Sequence, residues 1–291
     1  MKGVLAPICT PFAADGVVHH GALRENITRY CEAGLTGFVV AGSTGEAAFL
    51  SKEEKLRTFE TVRDAAASRV LIAGAGVESV RETVRLIEGA AKLGYHAALV
   101  LTPHYYRAQM LRPESQTGFF RAVADASPIP VLIYNFPQMT GIDLPLETVA
   151  QLAEHPNIVA IKESSADLSK IASLTGALPK TFPVLVGASS KFHESLRLGA
   201  AGGILAIANA VPRAAQRIYD LWQSGDIEGS CAEQSRIADA AGVAPKYGIQ
   251  GLKYAMDLMG LYGGPARLPL VPVSEFEQSE IAALFRSVPQ E

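Results

Sequence analysis

The fold is decided most directly by residues 70–102, which read VLIAGAGVESVRETVRLIEGAAKLGYHAALVLT. Val70 to Gly74 and Ala97 to Thr102 are short runs of apolar and small residues, and the segment from Ser79 to Lys92 between them has helical periodicity. Strands that are apolar at nearly every position are buried on both faces, as in a parallel sheet. The stretch therefore predicts two parallel strands joined by a helix.

The same alternation of strand and helix recurs along the chain. Further apolar runs, which we predict to be strands, lie at residues 3–9, 37–42, 131–134, 158–161, 184–187 and 203–207. With the two strands above they make eight, and eight parallel strands with helices between them close into a barrel. An open, doubly wound sheet is the alternative, but no glycine-rich dinucleotide-binding motif follows the first strand. We predict an α/β fold, a (β/α)8 TIM barrel.

From Val211 onward the pattern changes to helical segments separated by turns. A barrel of this kind occupies about 250 residues as a single domain. The 291 residues of the chain are therefore compatible with one barrel and a short addition. We predict a barrel over residues 1–210 and, over residues 211–291, a C-terminal helical extension that packs on it.

The composition is that of a globular protein and argues against several classes of partner. Hydrophobic residues make up 48% of the chain and charged residues 19%, which provides enough apolar side chains for a large core. The net charge is −3 and basic and acidic residues are mixed, while no apolar run reaches the roughly 18 residues of a membrane span. We therefore expect no nucleic-acid and no membrane partner. The N-terminus does not read as a signal peptide, which favours the cytoplasm.

Neither the cysteines nor the histidines are spaced as metal ligands. Cys9, Cys31 and Cys231 are far apart and lie in apolar or helical sequence, which predicts buried thiols and no disulfide or zinc site. The six histidines show no metal-ligand spacing either. We predict that the protein uses neither a metal ion nor another cofactor.

Lys162 directly follows the apolar run 158–161, and catalytic groups of such barrels lie where strands end and the next loops begin. An apolar environment disfavours the charged form of a lysine. The neutral amine can attack a ketone to form an imine, which acts as an electron sink for breaking or making a carbon–carbon bond. Alternatively, Lys162 merely ends a strand and extends its amine to solvent.

Two further groups follow predicted strands. Tyr134 ends the fifth strand, where its phenol can carry a proton or serve as an ordinary core aromatic. The turn from Gly42 to Glu46 follows the second strand and offers the hydroxyls of Ser43 and Thr44 and several backbone N–H groups to a carboxylate. It is otherwise an ordinary glycine-rich turn before a helix capped by Ser51. The convergence of these groups with a lysine on one rim favours a functional site.

Together these segments resemble the dihydrodipicolinate synthase and N-acetylneuraminate lyase superfamily of class I aldolases, along nearly the whole chain. The matching motifs are Gly42-Ser43-Thr44-Gly45-Glu46, Tyr134-Asn135-Phe136-Pro137 and Ile161-Lys162-Glu163-Ser164. The resemblance implies a metal-independent lyase that works on pyruvate and a small aldehyde or 2-oxo acid. A catalytically silent barrel that binds a small molecule is the non-enzymatic alternative, but such a barrel has no need of an imine-forming amine.

The resemblance also implies roles for individual residues. The residues concerned are, as catalytic groups, Lys162, Tyr134, Thr44 and Tyr105 and, as substrate-binding groups, Ser43, Thr44, Gly45, Gly187 and Ile204. Lys162 would form the imine with pyruvate, and Tyr134 would shuttle protons. Tyr105, in preference to Tyr106, would complete the proton relay in the site of a neighbouring subunit. That role requires an oligomer, by default a homotetramer built as a dimer of dimers.

The second substrate is indicated by departures from the synthases of this superfamily. Those enzymes usually carry an arginine two residues after the proline that follows the shuttle tyrosine, where this chain has Met139. A thioether cannot make that charge-assisted contact to a carboxylate. Residues 140–145, 155–159 and 262–267 look closest to 4-hydroxy-2-oxoglutarate aldolases, although that branch typically has Asn where this chain has Thr44. The alternatives are a 4-hydroxy-tetrahydrodipicolinate synthase, an N-acetylneuraminate lyase and a lyase of 2-keto-3-deoxy sugar acids.

Overall fold

The structure, a computed structural model, describes residues 1–66 and 68–288. Within these residues, eight parallel strands close into a barrel in the order of the sequence. The strands are β1 (Gly3–Pro7), β2 (Gly37–Val40), β3 (Val70–Gly74), β4 (Ala97–Leu101), β5 (Val131–Asn135), β6 (Ile158–Glu163), β7 (Val184–Val186) and β8 (Gly202–Ile204). The predicted (β/α)8 barrel is confirmed.

Within the described residues, one or two helices lie between each strand and the next, and four more follow the last strand. They are α1 (His20–Glu32), α2 (Lys52–Ala65), α3 (Val80–Lys92), α4 (Arg107–Met110), α5 (Pro113–Ala126), α6 (Pro137–Thr140), α7 (Leu146–Ala153), α8 (Leu168–Ala177), α9 (Phe192–Arg197), α10 (Pro212–Gln223), α11 (Ile227–Arg236), α12 (Val243–Leu258) and α13 (Glu275–Leu284). The helix α12 is interrupted at Gly248, whose φ is 71°. The predicted C-terminal helices are present, whereas a domain boundary at residue 210 stays a prediction. In the described ranges, no helix is long and apolar enough to cross a membrane.

Side-chain caps explain where the helices begin. The hydroxyl of Ser51 accepts the backbone N–H of Glu54, and the carboxylate of Glu54 accepts the N–H of Ser51, a capping box at the start of α2. The hydroxyl of Ser79 accepts the backbone N–H of Glu82 and so caps α3 with a single bond. Both helix starts agree with the sequence, whose helical periodicity after β2 extends from Ser51 to Ala67. Ala67 lies outside the described residues.

The last strand is shorter than the sequence indicates. We predicted a strand over 203–207, but β8 ends at Ile204 and the chain continues into a short 3₁₀ helix over Ala206–Asn209. The reason lies in Asn209, whose amide donates to the carbonyl of Pro7 at 2.8 Å and accepts the N–H of Cys9 at 3.0 Å. These bonds satisfy the backbone just after β1, so an apolar run that reads as strand is held as a turn.

The three thiols lie in different environments. Cys9 is buried, Cys31 is half-buried and Cys231 is exposed. The prediction of buried thiols is therefore correct for Cys9 and wrong for Cys231, which lies on the outward side of the amphipathic helix α11. A helical segment exposes about half of its positions, so helical sequence alone did not justify the prediction.

The described chain forms two compact units, each with its own core. The β3–β8 unit comprises residues 1–2 and 70–204, and the β1–β2 unit comprises residues 3–69 and those from 205 onward. The core of the first unit lies between its strands and helices and includes Val100, Phe120, Ile133 and Ile161. The core of the second includes Phe12, Tyr30, Phe38 and Phe59, all fully buried. Each such side chain contributes about 1.5–3 kcal/mol by leaving water.

Candidate active site

Lys162 and Tyr134 lie side by side on neighbouring strands. They are directly paired in the register of β5 against β6, and their exposed fractions are 4% and 5%. The Nζ atom of Lys162 lies 4.1 Å from the centroid of the Tyr134 ring, within the range of a cation–π contact. The structure thus brings together the two residues that the sequence singled out as nucleophile and proton carrier.

The strand β6 extends further than predicted, to Glu163, so that Lys162 belongs to the strand itself. Successive strand residues point to opposite faces. Asn135 and Glu163, the paired residues just after Tyr134 and Lys162, therefore face away from them, and both are fully buried. One residue beyond Tyr134 and Lys162 on each strand, the buried polar side chains of Asn135 and Glu163 thus lie on the opposite face.

The buried side chains of Asn135 and Glu163 belong to a polar network, which we call the Asn135–Glu163 network and which also contains the exposed Asp143 and the half-buried Lys170. The amide of Asn135 donates to Glu163 Oε2 at 2.8 Å and to Asp143 Oδ1 at 2.7 Å, and its oxygen accepts the N–H of Leu144 at 3.0 Å. Lys170 Nζ donates to Asp143 and lies 3.8 Å from Glu163 Oε2. The amide of Asn135 on β5 bonds Glu163 on β6 and Asp143 in the loop before α7 at the same time. The network therefore fixes the register that places Tyr134 beside Lys162. Our sequence interpretation missed it.

Gly187, just after β7, leaves the space that the Lys162 side chain occupies. Its N–H donates to the carbonyl of Glu163 at 2.7 Å. A Cβ atom at this position would lie 1.8 Å from Ser164 Oγ and 3.2 Å from Lys162 Cε, so that any other residue collides with its neighbours. Ile204, the other predicted pocket residue, is fully buried at the end of β8.

The turn after β2 is tightly built within the β1–β2 unit. Residues Ser43–Gly45 form one turn of 3₁₀ helix, in which Thr44 is buried. The carbonyl of Gly45 accepts the Thr10 hydroxyl at 2.7 Å. A Cβ atom on Gly45 would lie 2.8 Å from the carbonyl oxygen of Ile8, which explains why glycine occupies this position. The hydroxyls of Ser43 and Thr44 are thus carried on a backbone that has little freedom.

Glu46 closes the turn with a buried carboxylate, and its partners come from the C-terminal part of the chain. Lys253 Nζ lies 2.5 Å from Glu46 Oε1, and the backbone N–H of Arg267 donates to Oε2 at 2.8 Å. Sequence reasoning treated Glu46 only as part of a motif and passed over Lys253. The signal for Lys253 was present, because it is a lone charged residue in the run Gly251-Leu252-Lys253-Tyr254-Ala255-Met256.

In residues 1–66 and 68–288, no group of three or more His, Cys, Asp or Glu side chains is arranged to hold a metal ion. The rim histidine His104 instead pairs with a carboxylate, since its Nδ1 lies 3.1 Å from Glu78 Oε1. Independence of metal ions stays a prediction about the reaction.

Comparison with known proteins identifies the family of this barrel. The profile of the Dihydrodipicolinate synthetase family matches residues 1–288. The chain belongs to the dihydrodipicolinate synthetase family. It is therefore an enzyme, a class I aldolase or lyase that acts on carbon–carbon bonds, and the resemblance noted in its motifs is confirmed.

Relatives within the dihydrodipicolinate synthetase family carry two different activities. The 4-hydroxy-tetrahydrodipicolinate synthase of Methanothrix thermoacetophila is 36% identical over 286 residues, which cover 96% of this chain and 94% of the relative. A probable mitochondrial 4-hydroxy-2-oxoglutarate aldolase of Emericella nidulans is 35% identical over 291 residues, with coverages of 98% and 94%. The crystal structure of the chloride-inhibited dihydrodipicolinate synthase of Acinetobacter baumannii, complexed with pyruvate, superposes with a TM-score of 0.94 at 31% identity and covers 98% of both chains.

Tyr105, which we predicted to act in a neighbouring subunit, has an exposed side chain. Tyr105 is 76% exposed and meets the ring of Tyr106 edge-on at 5.2 Å. Its backbone is held, because the carboxylate of Glu78 accepts the N–H groups of both His104 and Tyr105 at 3.0 Å. The loop after β4 therefore presents a fixed backbone and a projecting phenol, whose role in a neighbouring subunit stays a prediction.

The position at which the family's synthases usually carry arginine lies in the short helix α6. Met139 is 57% exposed there. The segment is attached to its surroundings on both sides, because Gln138 Nε2 donates to the carbonyl of Ser165 at 2.7 Å and Arg107 Nε donates to that of Gly141 at 3.1 Å. An uncharged thioether therefore stands on a well-anchored segment where a guanidinium would bind a carboxylate.

Proposed function

We propose that this protein is an aldolase that cleaves 4-hydroxy-2-oxoglutarate into pyruvate and glyoxylate through a Schiff base on Lys162. The observation that carries the chemistry is the contact between the buried amine of Lys162 and the ring of Tyr134. The pyruvate complex of the Acinetobacter baumannii relative supports a 2-oxo acid as the electrophile.

The reaction begins when Lys162 Nζ attacks C2 of the substrate and the carbinolamine loses water. The resulting imine withdraws electrons from the C3–C4 bond. As that bond breaks, the 4-hydroxyl loses its proton and glyoxylate leaves. The enamine then takes up a proton at C3, and hydrolysis of the imine releases pyruvate and restores the amine. Tyr134 is the group that carries protons to and from these oxygens.

The C1 carboxylate of the substrate is bound by the turn after β2, through the hydroxyls of Ser43 and Thr44 and the N–H of Gly45. Thr44 also passes protons between Tyr134 and Tyr105 of a neighbouring copy, which requires an oligomer, by default a homotetramer. Gly187 and Ile204 line the pocket. The tetramer, the cytoplasmic location and these residue roles remain predictions.

The choice of substrate rests on Met139. Aspartate semialdehyde, the second substrate of the synthases, presents a carboxylate to the arginine that this chain lacks, whereas the Emericella nidulans relative is named a probable 4-hydroxy-2-oxoglutarate aldolase. The second candidate is a 4-hydroxy-tetrahydrodipicolinate synthase, because the Methanothrix thermoacetophila relative of that name is 36% identical. A lyase of N-acetylneuraminate or of 2-keto-3-deoxy sugar acids is the next candidate function after the synthase.

Trapping with borohydride tests the chemistry. Pyruvate and borohydride should add a reduced pyruvyl group to Lys162 and to no other residue, as read by intact mass and peptide mapping. Lys55 is an internal control, since burial on α2 lowers the pKa of its amine. An adduct on Lys55, or full activity in Lys162→Ala, would refute the mechanism. Turnover should also survive chelators.

A substrate panel tests the specificity. Pyruvate release from 4-hydroxy-2-oxoglutarate, from N-acetylneuraminate and from 2-keto-3-deoxy sugar acids is compared with pyruvate consumption in the presence of aspartate semialdehyde. We expect cleavage of 4-hydroxy-2-oxoglutarate to have the highest kcat/KM. A much faster condensation with aspartate semialdehyde would show that Met139 does not exclude that substrate.

A further inference from the structure

We propose that Glu46 is a positioning residue for the substrate-binding turn Ser43–Gly45 and that Lys253 and Arg267, from the C-terminal part of the chain, hold it in place. This inference rests on the proposed function, in which that turn binds the substrate carboxylate. It means that Glu46, Lys253 and Arg267 also determine substrate affinity, although none of them touches the substrate.

The first observation is that Glu46 and Lys253 form an ion pair removed from water. The exposed fractions of the two side chains are 1% and 0%, and Lys253 Nζ lies 2.5 Å from Glu46 Oε1. The same ammonium donates to the carbonyl of Pro265 at 2.9 Å and lies 4.4 Å from the ring centroid of Phe12. The free-energy cost of removing two charges from water often exceeds the gain from their mutual attraction. A buried pair of this kind is therefore better explained by a demand for position than by stability alone.

The second observation is the backbone of Glu46. Its φ is 56°, in the left-handed region that residues other than glycine rarely adopt. Such a conformation persists only where surrounding contacts hold it. The N–H of Glu46 donates to the carbonyl of Ser43 at 3.1 Å, so any movement of Glu46 is passed directly to the residues that carry the hydroxyls.

The third observation is that Arg267 holds the segment that directly follows the turn at two points, Glu46 and Phe49. Its backbone N–H donates to Glu46 Oε2 at 2.8 Å, and its guanidinium donates to the carbonyl of Phe49, three residues later, at 2.6 Å. The guanidinium itself is fixed by the carbonyl of Gly16 at 2.6 Å and by a two-point contact with Glu54 at 2.7 and 2.8 Å. The two oxygens of Glu46 are thus held by two different groups, each itself fixed by further bonds.

The experiment measures the pyruvate concentration that half-saturates borohydride trapping, together with the melting temperature. Glu46→Asp keeps the charge opposite Lys253 but is too short to reach both partners. Glu46→Gln/Lys253→Met removes both charges, so that neither is left buried alone. If Glu46 positions the turn, both variants need at least about tenfold more pyruvate, since small misplacements of binding groups are costly. Their trapping rate at saturating pyruvate stays near that of the wild type.

Ser274→Ala is the matched control, because it removes the capping box of α13 in the same unit without removing any bond of Glu46, Lys253 or Arg267. We expect its half-saturating concentration to be unchanged even if its melting temperature falls. An increase in the half-saturating pyruvate concentration of Ser274→Ala as large as in the Glu46 variants would mean that general destabilisation causes the effect, and it would overturn the inference.

Ser43→Ala separates the inference from the function on which it rests. If Ser43→Ala requires more pyruvate and either folded Glu46 variant does not, the positioning role is wrong and the proposed function stands. If Ser43→Ala has no effect, the turn does not bind the carboxylate and the proposed function fails at this point. Recovery of wild-type half-saturation in the double variant would likewise contradict the inference.

Discussion

Lys162 is a reactive group whose surroundings leave it little room to move. It lies within β6, and the ladder pairs it with Tyr134 on one side and with Leu185 on the other. Its side chain passes Gly187, where even a methyl group would come within 3.2 Å of Cε. An amine delivered by a fixed backbone into a confined space needs little rearrangement before it attacks, and such preorganisation lowers the barrier of a reaction.

Replacing Tyr134 tests the proton carrier. Tyr134→Phe keeps the ring that faces Lys162 but removes the hydroxyl. We therefore expect pyruvate trapping to remain and kcat for cleavage to fall by a factor of about 10² to 10⁴, the usual contribution of a positioned proton donor. Steady-state assays and borohydride trapping are run in parallel.

The control is Tyr247→Phe, which removes a hydroxyl that donates to Glu280 on α13. Its kcat should match that of the wild type. A near-normal kcat in Tyr134→Phe as well would mean that another group carries the proton.

The thiols are expected to differ in reactivity. Burial raises the pKa of Cys9 to about 12, and the nucleophile is the thiolate, not the thiol. Iodoacetamide at pH 8 should therefore modify exposed Cys231 in the native protein and leave Cys9 untouched, as read by peptide mass. Denaturation should make Cys9 reactive. Rapid modification of Cys9 in the native protein would show that its surroundings open readily.

The pairing of β5 with β6 joins two strands by more than the backbone ladder. Asn135 lies at the end of β5 and bonds side chains from β6 and from the loop before α7, while Lys170 on α8 reaches the same loop. A slip of one residue in a strand would turn every side chain to the opposite face. The network makes such a slip costly, because it would leave Glu163 buried without its donors.

Asn135→Ala tests this contribution. It removes a buried donor from Glu163 and an acceptor from the N–H of Leu144. Since unsatisfied buried groups cost about 1–3 kcal/mol each and more when charged, we expect the free energy of unfolding to fall by about 2–4 kcal/mol and trapping at Lys162 to slow. Urea denaturation supplies the measurement.

Ser173→Ala on α8 is the comparison, because it deletes an exposed hydrogen bond to the carbonyl of Ser169 and should change stability by less than about 0.5 kcal/mol. Equal losses in the two variants would mean that burial of the network is not what matters.

The chain as a whole was predictable where structure follows from neighbouring residues. Apolar runs predicted all eight strands, a serine cap predicted the start of the helix after Ser51, and helical periodicity predicted the helix that begins near Ser79. Lys162 and Tyr134 were found because strand ends identify the rim of a barrel. The Asn135–Glu163 network and the contact between Glu46 and Arg267, 221 positions apart, were not found, since distant polar partners leave no periodic pattern. The end of β8 was missed because the hydrogen bonds of Asn209 outweigh the strand propensity of an apolar run.

Acid is expected to weaken the contact between Glu54 and Arg267, which joins the N-terminal and C-terminal parts of the β1–β2 unit. The hydrogen bonds from Arg267 hold the pKa of Glu54 below its usual 4.5, against the opposing effect of burial. A lowered folded-state pKa means that this stabilisation is present above the unfolded-state value and is lost as the pH falls through the folded-state value. Wild type should therefore exceed Glu54→Gln in urea midpoint at pH 7, and the difference should shrink below pH 4. A constant difference would exclude ionisation of Glu54 as its cause.

The contact between Glu46 and Arg267 determines when, during its synthesis, a new chain can first bind pyruvate. At ribosomal rates of about 5–20 residues per second, the 221 positions between them correspond to roughly 10–45 seconds of synthesis. All eight strands are made before that interval ends, but until then the turn that is to receive the substrate has no anchor. A ribosome-bound chain that stops before residue 253 should therefore have little affinity for pyruvate, and affinity should arise only when the final helices emerge.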